Sequence, residues 1–547
     1  MKEKILRILP LGGLGEVGKN MMVYEFADQI LVVDAGLMFP ENDMLGIDYI
    51  IPDFEYLVEN RHKVVGVVFT HGHEDHTGAA RHVLEQVQAP IYATALTLGL
   101  LEAKLSRNGL LNKLKLNKVR AGERLQIGVF DVEFFHVCHS IPDGVGLGIR
   151  TPVGLVVHSG DYKFDHTPVD NWPTDFAKLA EYSQEGVLAL LADSTNSTRP
   201  GWTPSERVID AAFDSVFRQA PGRIIVASFA SLISRMQQVA TAAMRYGRKM
   251  AFVGASMVEN ARIARKLGYL AIPDEIIVPI EQALRMNPNE VVLMSTGTQG
   301  EPSSILGRLS TGTNRQFDIL PGDTVILSSH PIPGNEESVY RTINRLFRRG
   351  ANVIYEDIAP VHVSGHASAE EIKLMLNLVR PKFLIPIHGE LRHLHHHARL
   401  AQEVGIPAER IAIVENGMVL ELSKDQLRIG ERVRGGYVFV DGASVGDVSP
   451  GLVREREILA RDGFVLVNLV LDRRSCRLLD EPEVITRGFV SANEMEDLIA
   501  ETRQLVRKTV DCTSNGRLQN DLEQSLKSFL YNKTKRRPMV FVTISNA

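Results

Sequence analysis

The chain has 547 residues, 44% apolar and 23% charged, a length and composition typical of a globular protein with more than one domain. Its apolar runs are shorter than the roughly 18 residues of a membrane-spanning helix, and its N-terminal segment lacks the apolar core of a signal peptide, which excludes a membrane protein. The net charge of −5 excludes a protein that coats nucleic acid with its whole surface. Three widely spaced cysteines, an odd number, argue against a disulfide framework and favour the cytoplasm.

Short apolar strands alternate with turns and helices over residues 1–204. The segments ILVVDAG, VVGVVFTHG, VEFFHVCHS, GLVVHSGD and VLALLADS predict strands, because they are short and rich in Val, Leu and Phe. Near-continuous apolar strands are typical of a sheet that is covered on both faces. The fold class predicted for this part of the chain is therefore α/β.

The pattern changes in the second part of the chain. Residues 205–355 repeat strand–helix–strand units, which predict a second, parallel α/β domain. Strand character resumes over 356–425 with PKFLIPIHGE, and we interpret residues 426–450 as a linker, with an edge hairpin as the alternative. Residues 451–547 combine apolar strands such as FVLVNLVLD with a helical stretch and predict a small α+β domain.

The strongest local signal is the segment THGHEDHT, which follows the predicted strand VVGVVF and precedes a helix. It places four metal-capable side chains on one short loop: His71, His73, Asp75 and His76. Imidazole and carboxylate groups at this density suit zinc or manganese. A purely structural role explains such a cluster at a strand end poorly, so the segment predicts a metal site.

Four other predicted strands also end in a residue that can bind metal or take part in catalysis. These residues are His139, Asp161, Asp193 and His388. Because the ends of the strands in an α/β sheet meet along one edge, we expect these side chains to converge. One carboxylate can bridge two metal ions about 3.5–4 Å apart, and Asp161 is the candidate for that bridge.

These residues resemble the metallo-β-lactamase superfamily, whose hallmark is His-x-His-x-Asp-His. The segments Asp193–Thr195, Ser364–His366 and Ile387–Glu390 resemble the three motifs of its β-CASP branch, which acts on nucleic acids. The segments PLGGLGEVGKN, RPGWTPSE, SSHPIPGNE and TRGFV are similar to those of the bacterial ribonuclease J family. The resemblance extends over nearly the whole chain, and the motifs occur in the family's order.

The resemblance implies an architecture. Residues 1–204 and 356–425 would form a metallo-β-lactamase αββα sandwich, and residues 205–355 would form an inserted β-CASP α/β domain. The small C-terminal α+β domain, 451–547, would join copies of the chain into a homo-oligomer, either a dimer or a tetramer. Other RNA-decay proteins are further expected partners.

The resemblance also implies a metal centre with two Zn²⁺ per subunit, with Mn²⁺ as the alternative. His71, His73 and His139 would bind one ion, Asp75, His76 and His388 the other, and Asp161 both. A hydroxide activated by the metals would attack the phosphodiester and leave a 5′-phosphate and a 3′-hydroxyl. The residues expected to act in catalysis are His366, Asp193 and Asp75.

Two of these roles have alternatives at the level of the sequence. His366 would stabilise charge or donate a proton to the leaving oxygen, unless it is a hydrogen-bonded core histidine. Asp193 would orient a metal-binding histidine, unless it only caps the turn in which it lies. His393 and His397 share one face of a helix, and we interpret that face as solvated rather than as a chelate.

The resemblance further implies a substrate site. Its expected members are His362, Val363, Ser364, Gly365 and His366, with Ser228, Ser231 and Arg235 for a terminal 5′-phosphate. Asp48 and Asp441 are expected to hold an additional structural Ca²⁺ or Mn²⁺.

The function expected from these features is that of a zinc-dependent ribonuclease with 5′-to-3′ exonuclease and endonuclease activity. Its substrate would be single-stranded RNA with a 5′-monophosphate. It would act in rRNA processing and mRNA decay. The alternatives are a β-CASP DNA nuclease, a small-molecule metallo-hydrolase and an inactive RNA-binding scaffold. The intact set of metal-capable residues speaks against the scaffold.

Overall fold

The structure, a computed structural model, describes residues 4–41, 44–106, 109–442, 444–512 and 518–547. It divides into two compact units, the first formed by Met1–Phe39 with Ile50–Val438 and the second by Pro40–Tyr49 with Phe439–Ala547. Among the helices in these ranges, none is long and apolar enough to cross a membrane.

Two mixed sheets form the framework of the first unit. The first sheet has eight strands, in the order Leu427–Arg432, Met418–Leu422, Leu6–Gly12, Met21–Phe26, Gln29–Val33, Val64–Val68, Ile91–Ala93 and Leu116–Lys118. The second sheet has six strands, in the order Phe383–Ile387, Val187–Asp193, Gly154–His158, Val145–Thr151, Phe130–His136 and Arg124–Ile127. Apolar residues of both sheets, such as Leu31 and Phe134, share one buried core between them.

Helices cover the outer faces of this sandwich. The other face of the six-stranded sheet packs against helices Phe176–Glu185, Ala369–Val379 and Leu391–Glu403. Helix Ala95–Leu105 contacts the edge strand Leu116–Lys118 of the eight-stranded sheet, helix Ala80–Val87 contacts Ala95–Leu105, and helix Glu55–Glu59 contacts Ala80–Val87. Residues on both faces of strand Val187–Asp193 are buried, which explains why its sequence, VLALLAD, is almost continuously apolar. The predicted αββα sandwich is confirmed.

A third, all-parallel sheet lies in the chain segment between strands Val187–Asp193 and Phe383–Ile387. Its strand order is Lys249–Phe252, Val291–Ser295, Ile224–Ala227, Thr324–Leu327 and Asn352–Ile354. The main helices of this part are Val208–Gln219, Ile233–Arg245, Ala255–Leu267, Ile305–Thr311 and Glu336–Arg348. Separate apolar cores cover its two faces, so the predicted inserted α/β domain is confirmed.

The second unit contains a three-stranded sheet in the order Glu483–Arg487, Phe464–Leu471 and Met539–Asn546. Its helices are Pro450–Asp462, Ala492–Cys512 and Leu518–Thr534. Every second residue of strand Phe464–Leu471 is buried, because one face of the sheet contributes to a core with leucines such as Leu526. This is the small α+β domain predicted for the tail.

The stretch interpreted as a linker, 426–450, contains strands instead. Leu427–Arg432 pairs antiparallel with Met418–Leu422 as the outermost strand of the eight-stranded sheet, and Tyr437–Asp441 and Ser444–Val445 follow it. The alternative, an edge hairpin, describes the first of these correctly. The sequence favoured a linker because LRIGER is exposed along nearly its whole length and therefore has no apolar periodicity.

Register brings the strand ends of the six-stranded sheet together. In the parallel pair formed by Val187–Asp193 and Phe383–Ile387, Asp193 lies opposite Ile387, so that His388 follows directly beside it. On the other side, Gly154–His158 also pairs in parallel with Val187–Asp193, and Asp161 follows its end. Three residues that are far apart in sequence thus reach the same edge, as the sequence predicted.

A tight backbone contact fixes the metal-capable loop against the eight-stranded sheet. The N–H of Ala35 donates to the carbonyl of His76 at 2.8 Å, and that of Leu37 donates to Glu74 at 3.0 Å. Between them, a Cβ on Gly36 would lie 1.6 Å from the carbonyl oxygen of Asp75. Only glycine fits here, because the obstructing atom is backbone and cannot rotate away.

We predict that Gly36→Ala lowers the free energy of unfolding of the first unit by at least about 1–3 kcal/mol, because an added methyl group in a packed interior forces backbone shifts. Chemical denaturation followed by circular dichroism measures the effect. Gly436→Ala is the matched control, since a Cβ there would meet nothing within 4 Å among the described residues. Equal stability of the two variants would contradict the prediction.

Candidate metal centre

Three imidazole rings form the first group of metal-capable side chains. One ring nitrogen from each of His71, His73 and His139 lies within 4.8 Å of the others. Nδ1 of His73 is 3.1 Å from Nε2 of both His71 and His139. Nitrogen ligands about 2.0–2.1 Å from a tetrahedral zinc ion would lie about 3.3 Å apart, so the three rings are spaced as zinc requires.

The second group consists of Asp75, His76, Asp161 and His388, again with one ligand atom each within 4.8 Å. Nδ1 of His388 donates to Asp161 at 2.8 Å. Nε2 of His388 is buried and lacks a hydrogen-bond partner among the described residues, and Asp75 Oδ2 lies 3.5 Å from it. An unpartnered buried nitrogen facing a carboxylate is what a cation between them would satisfy, so these residues fit a bound metal ion.

Asp161 lies between the two groups. Its Oδ2 atom is 3.1 Å from Nε2 of His76, which belongs to the second group. The same oxygen is 3.7 Å from Nε2 of His71 and 3.7 Å from Nε2 of His139, which belong to the first. A single carboxylate can therefore serve both groups, the arrangement of two-metal hydrolytic sites.

Partners on the far side of the rings fix which nitrogen points into the centre. His76 donates from Nδ1 to Asp34 Oδ2 at 2.7 Å, and His139 donates from Nδ1 to the carbonyl of Gly365 at 2.7 Å. Asp34 is itself held by the backbone N–H and the hydroxyl of Thr70, at 2.8 and 2.9 Å. Such partners orient a metal-binding histidine and set its tautomer.

Asp34 is the functional residue that sequence reasoning missed. It follows strand Gln29–Val33, whose last residue pairs with Val68, so that Asp34 emerges beside the residues leading to His71. The signal was present, because ILVVDAG also ends in a carboxylate at a strand end. It was overlooked because Asp34 acts through His76 rather than as a member of either metal-capable group.

The electrostatics separate the histidines into two kinds. Burial, together with neighbouring imidazoles, lowers the pKa of His71 well below its usual range, that of His73 to about 3 and that of His139 to about 4. These three rings are therefore neutral, which is the form that binds a metal. Burial also opposes the charging of His388, but Asp161 outweighs it and raises the pKa of His388 to about 10. Without a bound cation, His388 of the second group therefore carries a proton on both ring nitrogens at neutral pH.

His366 and Asp193 form a pair beside the two groups. Nδ1 of His366 donates to Asp193 Oδ2 at 2.7 Å, and the His366 ring centre lies 4.9 Å from that of His139 and 5.4 Å from that of His388. Burial opposes the positive charge on His366, but the Asp193 carboxylate outweighs it and raises the pKa of His366. The residue that Asp193 orients most directly is thus His366, whereas His388 Nδ1 is 3.7 Å away.

The expected substrate segment lies next to this pair. The side-chain amide of Asn196 donates to Ser364 Oγ at 2.7 Å and to the carbonyl of His366 at 3.2 Å. A Cβ on Gly365 would lie 2.6 Å from His139 Nδ1, so glycine is required at this position. Val363 is buried, and Nδ1 of the neighbouring His362 is buried without a hydrogen-bond partner in the described part of the chain.

The residues expected to bind a terminal 5′-phosphate have other contacts. Arg235 is buried and donates to Glu206 at 2.8 Å, to the carbonyl of Val361 at 2.9 Å and to Ser328. Its guanidinium therefore supports the start of the 362–366 segment from behind. Ser228 is buried, and its backbone N–H donates to Ser295, whereas Ser231 is partly exposed at the start of helix Ile233–Arg245.

Asp48 and Asp441 come together in the second unit. Asp48 Oδ2 accepts from the backbone N–H of Gly442 at 2.8 Å, and Asp441 forms an ion pair with Arg456 at 2.6 Å. A guanidinium already occupies one carboxylate, which argues against a further cation at this position.

The face of His393 and His397 is not solvated, and that interpretation of the sequence was wrong. Both residues are buried, His397 Nδ1 lies 2.9 Å from Ser194 Oγ, and Ser197 donates to the carbonyl of His393 at 2.8 Å. The face is buried because helix Leu391–Glu403 packs against the turn that follows Asp193. The His397 ring and the backbone carbonyl of His393 therefore support that turn.

Comparison with known proteins gives matches along almost the entire chain. Residues 14–196 match the metallo-beta-lactamase superfamily, 221–346 the beta-CASP domain of ribonuclease J, 350–410 the Zn-dependent metallo-hydrolase RNA specificity domain and 451–547 the C-terminal domain of ribonuclease J. Ribonuclease J2 of Bacillus subtilis is 42% identical over 98% of both chains. Ribonuclease J of Thermus thermophilus is 43% identical over 98% of this chain and 95% of its own.

A solved structure from Enterococcus faecalis, described as a protein of unknown function, has a similar fold. It aligns with a TM-score of 0.54 and 16% identity over 76% of this chain and 100% of its own.

We predict that Asp193→Asn moves the alkaline limb of the rate–pH profile to lower pH by about one unit or more. The raised pKa keeps His366 protonated until the pH exceeds that pKa. Loss of the Asp193 charge lowers the pKa of His366, so the ring loses its proton at a lower pH. Initial rates between pH 6 and about 9 give the profile. Asp425→Asn, at an exposed carboxylate paired with Lys382, is the control. An unchanged alkaline limb would remove this pair from the pH dependence.

Proposed function

Since the chain belongs to the ribonuclease J family and is a metal-dependent ribonuclease, we propose that it hydrolyses single-stranded RNA with two Zn²⁺ per subunit. The observation that carries this proposal is the position of Asp161 Oδ2, which lies 3.1 Å from His76 Nε2 and 3.7 Å from Nε2 of both His71 and His139. One ion would be held by His71, His73 and His139, the other by Asp75, His76 and His388. Mn²⁺ could replace zinc, because imidazole and carboxylate ligands suit both.

The bound ions would supply a hydroxide nucleophile at neutral pH and Lewis acidity at the phosphodiester. The protein's own part is to hold the ligand nitrogens and to move a proton. Asp193 holds the Nδ1 proton of His366 and favours the charged imidazolium, which leaves the other ring nitrogen as a donor. When the bond between phosphorus and the 3′-oxygen breaks, that oxygen takes the proton, so the products carry a 3′-hydroxyl and a 5′-phosphate.

The phosphate of the substrate would be bound by residues His362–His366. The hydroxyl of Ser364 and the carbonyl of His366 are already held by Asn196, so the segment is preorganised. Gly365 has no side chain, and the space that a Cβ would need is taken by His139, which holds the segment close to the metal-capable rings. A pocket of this kind, fitted to one terminal phosphate, would favour 5′-to-3′ exonucleolysis, whereas a chain that passes through without its end bound would be cut internally.

The match to an RNA specificity domain at residues 350–410 favours RNA over DNA, and the large inserted domain does not suit a small-molecule hydrolase. We place the protein in rRNA processing and mRNA decay, in the cytoplasm and alongside other RNA-decay proteins. The free thiols of Cys138 and Cys476 agree with that compartment.

Association of copies through the second unit is a further part of the proposal. The sheet face opposite its core presents Leu466, Val470 and Ile485, which are partly exposed, and Phe541, which is 43% exposed. Apolar side chains on three adjacent strands form a patch of the type that mediates self-association. The occupant we propose is the same face of a second copy, in a dimer or a tetramer.

We predict that the metal-loaded protein releases mononucleotides from a 5′-monophosphorylated single-stranded RNA, and that chelation of the metal abolishes this release. A DNA of the same sequence tests selectivity. His76→Ala should lose both turnover and bound metal, because His76 contributes to the second group. Chromatography of the products and elemental analysis of the protein measure the two effects. Absence of cleavage by the metal-loaded wild type would refute the assignment.

We also predict that a 5′-triphosphate slows exonucleolysis relative to a 5′-monophosphate. The pocket at 362–366 would have room for one phosphate, and two further charged groups would have to be desolvated or excluded. Rates of mononucleotide release from two RNAs that differ only at the 5′ end give the comparison. An internally cleaved circular RNA serves as the control for chemistry that needs no end. Equal rates for both linear RNAs would rule out the single-phosphate pocket.

A further inference from the structure

Glu371 is a buried carboxylate that belongs neither to the metal-capable groups nor to the proposed substrate segment. It lies in helix Ala369–Val379 and is 0% exposed. Oε1 accepts from the backbone N–H of Phe164 at 2.7 Å, and Oε2 accepts from those of Thr203 at 2.7 Å and Ser368 at 2.9 Å. Charged hydrogen bonds of this kind are stronger than neutral ones, and they compensate for removing the carboxylate from water.

Capping of its own helix accounts for only one of these three bonds. Ser368 and Glu371 form a capping box, in which Glu371 accepts from the N-cap residue. The bonds to Phe164 and Thr203 connect segments that are 207 and 168 residues away in sequence. A residue that served the helix alone would not reach either segment.

The first of these segments leads to the metal-capable groups. Phe164 follows Asp161 by three residues in the chain. Between them, the N–H of Lys163 donates to the carbonyl of Cys138 at 2.8 Å, and Cys138 directly precedes His139. The bond from Phe164 to Glu371 therefore fastens the stretch that carries Asp161 and, through Cys138, the stretch that carries His139.

The second segment leads to His366. The hydroxyl of Thr203 donates to the carbonyl of His366 at 2.7 Å and lies 2.8 Å from Ser368 Oγ. The bond from the N–H of Thr203 to Glu371 thus fixes the group that holds His366. One side chain therefore holds both segments. Oε1 of Glu371 accepts from the segment that leads to Asp161, and Oε2 accepts from the segment that leads to His366.

We propose that Glu371 is a positioning residue that keeps His366 aligned with the bridging Asp161. This inference rests on the proposed function, in which Asp161 binds metal and His366 donates a proton. Glu371 contacts neither residue itself and acts through Phe164 and Thr203. A displacement of less than a bond length between the two halves is enough to reduce the rate of a proton transfer that depends on alignment.

Glu371→Gln and Glu370→Gln form the matched test. Glu370 is the neighbouring residue on the same helix, but its carboxylate is on the surface and pairs with Lys373. Glutamine has only one oxygen, so at position 371 its amide N–H must face the N–H of Phe164 or those of Thr203 and Ser368. We expect Glu371→Gln to lower kcat by about tenfold or more and to weaken Zn²⁺ affinity by about tenfold, with KM for RNA unchanged. Glu370→Gln should change none of the three.

Thr203→Val tests the connection to His366 separately from the connection to Asp161, and it remains informative if Glu371→Gln folds poorly. It keeps the backbone N–H that bonds to Glu371 but removes the hydroxyl that holds His366. We expect it to lower kcat while leaving Zn²⁺ affinity unchanged, because the hydrogen bond from Phe164 to Glu371, which holds the segment of Asp161, is retained. In the double variant, the effects on kcat should be less than additive, since both changes loosen the same connection.

Zn²⁺ affinity is measured by competition with a chromophoric chelator, without RNA, and folded content by circular dichroism. Glu371→Gln with kcat and Zn²⁺ affinity equal to those of Glu370→Gln would overturn the inference. A loss of kcat that only follows the folded fraction would overturn it as well, because the role would then be structural. Failure of the wild type to cleave RNA would instead be a failure of the proposed function, which the Zn²⁺ measurement does not depend on.

Discussion

The buried carboxylate of Asp161 is the constraint on which the rest of the centre depends. Its two oxygens lie 2.8 Å from His388 Nδ1 and 3.1 Å from His76 Nε2, and it is only 3% exposed. An isolated buried carboxylate is costly, because the loss of hydration exceeds what a single neighbour returns. The surrounding imidazoles, together with the metal ions that we propose they bind, compensate for that cost. The metal-capable residues therefore form one interdependent set.

The fold meets this constraint by combining one loop, which carries His71, His73, Asp75 and His76, with residues at the ends of other strands. Partners behind two of the rings fix their orientation. Asp34 orients His76, and the carbonyl of Gly365 orients His139. Gly365 also belongs to the segment proposed to bind phosphate, and its lack of a side chain lets His139 approach. The metal-capable group and the substrate segment are consequently in direct contact, because His139 donates to the carbonyl of Gly365.

The pKa values of the histidines differ because their neighbours differ. His73 and His139 lie among other imidazoles, and removal of the rings from water, together with these neighbours, lowers their pKa values to about 3 and about 4. His366 is close to the same rings, yet the Asp193 carboxylate raises its pKa. A raised pKa is not unique to His366, because Asp161 raises the pKa of His388 to about 10. What sets His366 apart is that its charged neighbour is Asp193, which lies outside both metal-capable groups.

Much of this protein could be predicted from its sequence. The motif from His71 to His76, the strand-end positions of His139, Asp161, Asp193 and His388, and the α/β class follow from local patterns, because strand periodicity and ligand spacing are encoded over a few residues. The tertiary structure alone decided what lies behind these residues. Asp34, the buried contacts of His397 and the threefold acceptor role of Glu371 depend on segments that are far apart in the chain, and no local pattern records which distant backbone donor a buried side chain will meet.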